Sequence, residues 1–109
     1  MEKSPELRMV FVSISSYDSA VHTAKILVNE KLAACCTVNQ NLMSIFGWQG
    51  HTQERHENIM MIKTTEAKIA VLEARIKELH NDEVPEIVAL PVDSASASYL
   101  EWVLQSLAD

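Results

Sequence analysis

Met9-Val10-Phe11-Val12-Ser13-Ile14 is a short, nearly unbroken apolar run rich in β-branched residues, the pattern of a strand buried on both faces. Such a strand belongs in the middle of a sheet, so the rest of the chain must supply its neighbours and a cover for each face. On its C-terminal side, Ser15-Ser16-Tyr17-Asp18 offers N-cap side chains. Ala20, Ala24, Leu27, Val28 and Leu32 then recur at three- and four-residue steps, the spacing of an amphipathic helix.

Further on, Ala33 to Val38 resumes an extended pattern, breaks at the polar Asn39-Gln40-Asn41, and continues through Met43, Ile45 and Phe46 toward Trp48. The break predicts a bulge or bend in one long strand. Gln49-Gly50-His51 provides a turn, and the chain returns into Ile59-Met60-Met61-Ile62, which makes a long hairpin that projects beyond the body of the subunit. Thr65-Glu66 is read as the cap of a second helix, with Ile69, Leu72, Ile76 and Leu79 on one face and Lys77 and His80 near its end. After Pro85, Ile87-Val88-Ala89-Leu90 is a fourth strand. Asp93 or Ser94 then begins a last helix carrying Tyr99, Leu100, Trp102, Val103, Leu104 and Leu107. On the other side of the opening strand, residues 1–7 read as a flexible N-terminal extension, for Met1 to Glu6 are short and mixed in charge.

The order β-α-β-β-α-β is the split βαβ arrangement, an α+β fold in which right-handed crossovers place both helices on one face of the sheet. The opposite face needs another cover. In a chain of 109 residues only the C-terminal helix or a neighbouring subunit is at hand, and the apolar residues of that helix wrap around more than one of its faces. The expectation is a tight homo-oligomer built from the long hairpin's edges and the C-terminal helix.

Length and composition fit one domain, able to bury on the order of two-thirds of its unfolded surface. Cys35 and Cys36, the only cysteines, are adjacent, which is poor geometry for an intrachain disulfide and points to a reducing, cytoplasmic setting. No apolar run is long enough to span a bilayer, so no membrane partner is expected. A net charge of −6, with nine Lys and Arg scattered along the chain, leaves no basic stripe for a nucleic acid.

No enzyme active site is spelled out. Ser13, Ser15 and Ser16 have no histidine close in sequence to act as base, and the two glycines, Gly47 and Gly50, form no phosphate-cradling loop. Among His22, His51, His56 and His80 no pair has the helical spacing of a zinc motif. Successive strand side chains point to opposite faces, so Cys35 and Cys36 cannot converge on one ion within a chain. Met43, Met60 and Met61 have the spacing of core packing, and Trp48 and Trp102 read as interface anchors.

Several segments in the right order, Glu30-Lys31-Leu32-Ala33-Ala34-Cys35, Ser44-Ile45-Phe46 through Trp48-Gln49-Gly50, Ile62-Lys63-Thr64-Thr65, and Val84-Pro85-Glu86-Ile87 through Leu90-Pro91-Val92, resemble the CutA family, the divalent-cation tolerance proteins. Tyr99-Leu100-Glu101-Trp102 fits too. The resemblance implies a ferredoxin-like subunit in a compact homotrimer similar to the P-II signalling proteins. It also implies a role in tolerance of copper and other divalent metals, and Cys35 and His80 stand at the positions that match the family's metal-ligand candidates. Two departures stand out. His80-Asn81-Asp82 replaces the family's usual His-Pro-Tyr or His-Ser-Tyr, and Gln49 and His51 replace a glutamate and a lysine at the hairpin turn.

The sequence therefore predicts a non-enzymatic trimer that requires no cofactor and takes copper or another divalent metal weakly through Cys35 and His80. A different reading, a P-II-like sensor or scaffold, places a small anion or a partner's loop in inter-subunit clefts near Trp48, Lys63, Glu86, Tyr99 and Trp102.

Overall fold

A computed structural model describes all of residues 1–109. β1 (Glu2–Lys3) precedes β2 (Leu7–Ile14), the apolar run that opened the sequence reading, and α1 (Tyr17–Asn29) follows it. The hairpin is β3 (Cys35–Trp48) and β4 (His51–Thr65), then come α2 (Ile69–Leu79), β5 (Ile87–Pro91), β6 (Ser94–Ala95) and α3 (Ala97–Leu107). The four main strands form one antiparallel sheet in the order β3-β4-β2-β5. That is the ferredoxin-like order, and β2 sits inside it as its composition predicts.

Val10, Val12 and Ile14 of β2 and Met60 and Ile62 of β4 point to one face. They meet Ala20 and Leu27 of α1 and Leu72 and Ile76 of α2 in a single apolar cluster. Alternation sends Met9, Phe11, Met61 and Lys63 to the other face. There a smaller cluster of Leu7, Ala34, Ala95, Val103 and Leu107 forms under α3, which therefore covers one end of that face only. Ser16 caps α1 by accepting from the backbone N–H of Ser19 at 3.2 Å. The buried Asn58 donates to the Ile14 and Ser15 carbonyls and ties down the turn between β2 and α1.

The hairpin outruns the sheet. Strand β2 pairs with Asn58 to Thr65 of β4, whereas His51 to Glu57 pair with β3 alone, and the molecule measures 45 × 25 × 23 Å. The predicted bend is a register shift between Asn39 and Leu42, with Asn41 at φ 64°.

Three local expectations are corrected. Residues 1–7 are not a loose extension: β1 pairs with β6, the Ser4 hydroxyl donates to the Val92 carbonyl at 2.8 Å, and Leu7 is core. Short polar residues find backbone partners here that sequence cannot reveal. The last helix starts later than Asp93 or Ser94, at a Ser96 cap, because Ser94–Ala95 is spent on that pairing. Thr65 makes no side-chain cap, and a 3₁₀ turn over Glu66–Lys68 leads into α2 instead.

Candidate functional site

Two regions gather the chemistry, and they lie on different parts of the sheet. The first is built where the loop after α2 crosses the C-terminal end of β2. His80 ends that helix, accepts from the Asp82 backbone N–H at Nδ1 (3.0 Å) and places Nε2 2.6 Å from the Ser13 carbonyl. A backbone N–H can only donate, so Nδ1 is the acceptor and Nε2 carries the proton given to Ser13. Both nitrogens are engaged, and the ring works as a clasp between loop and sheet.

The clasp presents Asp82 to the projecting hairpin. Arg55 of β4 donates from Nη2 to Asp82 Oδ2 (2.7 Å) and from Nη1 to Oδ1 (3.4 Å), while its Nε and Nη2 both reach Glu57 Oε1, at 3.0 and 2.9 Å. Arg55 and Glu57 are two residues apart on one strand and so share a face. The guanidinium also lies 5.6 Å from the centre of the Phe46 ring. Hydrogen bonding to Asp82, and then to Glu57, raises the Arg55 pKa further above its ordinary value. Glu57 is 3% exposed, and its second oxygen, Oε2, has no hydrogen-bond partner. These side chains line a groove of about 780 Å³ whose rim also includes Trp48 and Glu86.

The second region surrounds Cys35 on the half-covered face. Its thiol lies 3.3 Å from the Tyr99 hydroxyl, and the Tyr99 ring stacks at a tilt on Trp102, 5.9 Å between centres. Burial, and then the hydrogen bond with Cys35, push the Tyr99 phenol up to about 12. Lys63, the cross-strand partner of Cys35, donates to Thr37 Oγ1 at 3.1 Å. Cys36 points the other way and packs against the helical core. Burial pushes its thiol up to about 11.

Within one subunit, the residues expected in inter-subunit clefts and as metal ligands fall into two sets. Trp48 and Glu86 share the groove, whereas Lys63, Tyr99 and Trp102 lie in the region of Cys35. Within one subunit Cys35 and His80 do not meet. Cys35 pairs through Lys63 to Met9, whereas His80 bonds Ser13, four residues along β2, on the order of 13 Å away at strand rise. No group of three His, Cys, Asp or Glu side chains is arranged to hold a metal ion. Sequence reasoning passed over Arg55 and Glu57. Their spacing signals a shared strand face, but their partner Asp82 is 27 residues beyond Arg55, and only the folded loop brings it there.

Residues 8–106 match the family of CutA1 divalent ion tolerance proteins. A divalent-cation tolerance protein CutA from Thermus thermophilus is 40% identical over 98 residues, which are 90% of this chain and 95% of that protein. Protein CutA 1, chloroplastic, from Oryza sativa is 33% identical over 98 residues, covering 90% of this chain and 55% of its own length. The chain therefore spans nearly all of the bacterial relative and about half of the plant one. The solved structure described as the periplasmic divalent cation tolerance protein CutA from Archaeoglobus fulgidus superposes with a TM-score of 0.91 at 27% identity, covering 94% of this chain and 99% of that one.

Proposed function

The chain belongs to the CutA1 divalent ion tolerance family, and from that premise we propose that it serves in tolerance of divalent cations as a homotrimer. One observation carries the assembly: the sheet face opposite α1 and α2 is only half covered. Beside Met9 and Phe11 it leaves Val88 47% and Leu90 46% exposed, with Trp102 of α3 47% exposed nearby. A single chain with this much apolar surface open is the kind that closes it against copies of itself.

Metal binding in this reading is weak and rests on Cys35, a free, partly exposed thiol suited to a soft or borderline ion such as copper. His80 contributes by shaping the loop, since ligation would cost it a hydrogen bond at one nitrogen or the other. Two unpaired cysteines suit a reducing compartment. Native mass spectrometry during a copper titration with zinc as competitor tests both parts. A trimer that takes one copper per subunit, retained in His80→Ala and lost in Cys35→Ser, is expected. A monomer ends the assembly claim, and copper uptake indifferent to Cys35→Ser ends the metal claim.

A second reading, a P-II-like module that recognises a small ligand or a partner's loop, is favoured by the groove and its buried, unpartnered Glu57 oxygen. Of Lys63, Trp48 and Glu86, expected to hold a small anion or a partner's loop between subunits, only Trp48 and Glu86 line this groove. Its side chains carry five carboxylates, from Glu54, Glu57, Asp82, Glu83 and Glu86, against the single guanidinium of Arg55.

A further inference from the structure

Resting on the cleft reading, we propose that the groove between the hairpin and the loop after α2 is a binding site for a primary alkylammonium group, seated on Glu57 Oε2.

A carboxylate removed from water requires a partner for each oxygen, because an ionised group left bare in the interior is among the costliest defects a fold can carry. Glu57 is 3% exposed, and Oε1 is satisfied twice over by Arg55 while Oε2 has nothing. Arg55 cannot serve both oxygens. Its Nη2 is drawn to Asp82 at 2.7 Å and its Nη1 reaches the other Asp82 oxygen. In formal charge the cluster holds two carboxylates and one guanidinium, one positive charge short of balance. Glu54, Glu83 and Glu86, which line the same groove, deepen the deficit.

The missing partner must be cationic and must donate hydrogen bonds. A bare divalent ion fits poorly, since no group of three side chains is placed to coordinate one. A second guanidinium fits poorly as well, for Arg55 already holds Oε1 and the one oxygen left offers no bidentate grip. An ammonium is compact and offers three donors, enough for Oε2 and a rim carboxylate together. The groove wall supplies a place for the carbon chain, because Phe46 and Trp48 line it beside the acids. A groove of about 780 Å³ lies within the size range of small-molecule sites. The chemistry is shared by free alkylamines and by the side chain of a lysine in a protein partner.

Trp48 provides the signal for a test on the purified full chain. Its fluorescence is followed during titration with n-butylamine hydrochloride, with Nα-acetyl-lysine methylamide, and with tetramethylammonium chloride, which has the charge but no N–H. Saturable binding of either amine, weakened about tenfold or more by Glu57→Gln and absent with tetramethylammonium, is expected. Preference for butylamine assigns the site to free amines, and preference for the blocked lysine assigns it to a partner's lysine. Melting curves establish that Glu57→Gln is folded. Should it not fold, Glu86→Gln at the exposed rim replaces it, with a smaller loss expected. Equal response to tetramethylammonium, or amine binding unaffected by both substitutions, overturns the proposal. A thermal-shift panel of nucleotides and carboxylates separates the two levels. Stabilisation by one of these with none by amines overturns the ammonium and leaves the cleft reading standing, while silence from every ligand, with no protein partner recovered by pull-down, overturns both.

Discussion

Cys35 and Cys36 differ by one position and by everything that follows from it. Alternation along β3 turns Cys36 into the helical core and Cys35 toward Tyr99, and the sequence was sufficient to say that the two thiols part company. It was not sufficient to say where each arrives, since the core and Tyr99 are brought there by the fold. The shielded thiol has a consequence for stability. Burial raises the Cys36 pKa from 9.0 to about 11, so above the unfolded thiol's pKa the native state holds the proton more tightly than the unfolded chain does. That contribution is complete below pH 9 and is lost as pH rises through the folded value. Urea titrations between pH 8 and about 11 should show Cys36→Ala losing stability less steeply than the parent, and parallel slopes would mean the thiol is not shielded. His80 teaches the complementary lesson at the same scale. Its position at a helix end was legible, but the partner of Nε2 is Ser13, 67 residues away, and no local pattern encodes that.

At the level of elements, the hairpin was the most legible part of the chain. Polar Asn39-Gln40-Asn41 in an apolar strand marks the bulge, and Gln49-Gly50 marks the turn. Trp48 pairs with His51, so the turn has two residues, and both have positive φ, 50° at Gln49 and 80° at Gly50. That is the type I′ geometry whose twist matches a hairpin, and it favours asparagine followed by glycine. Gln49→Asn should therefore stabilise the protein by about 0.5 kcal/mol, and Gly50→Ala should destabilise it by roughly 1–2 kcal/mol. Chemical denaturation at one fixed protein concentration measures both, and the opposite order would rule out this turn type. Less legible were the ends of elements. The start of α3 and the docking of β1 depend on each other, and a two-residue pairing between Glu2–Lys3 and Ser94–Ala95 leaves no periodic trace in either segment.

For the molecule as a whole, the accessible surface is 6721 Å², whereas a compact monomer of this mass would expose about 6,100 Å². The excess fits a projecting arm and a half-covered face. Val88 and Leu90 are neighbours of Phe11 and Met9 on that face and are already half exposed in the single chain, so charging them costs the subunit little. Val88→Glu combined with Leu90→Glu should give a folded monomer by sedimentation equilibrium with its helical circular dichroism intact. A variant that still sediments as a trimer would place the interface elsewhere. The need for a cover on the second face was legible, but not that α3 would shield only one end of it. The acidic groove was not, because Arg55, Glu57 and Asp82 are ordinary surface residues until the loop closes over the hairpin.

Strand β3, 14 residues long, lies at the border of the sheet and pairs with β4 on one side only, with Gln40 and Asn41 left out of the register. A straight edge of that length is an open template for any extended polypeptide met during synthesis. The kink between Asn39 and Leu42, with Asn41 in a left-handed conformation, breaks the template into two short rows that no regular strand can follow from end to end. A foreign chain gains at most a few backbone hydrogen bonds before it must let go. The bulge thus shortens the straight edge on which amyloid-like growth could start.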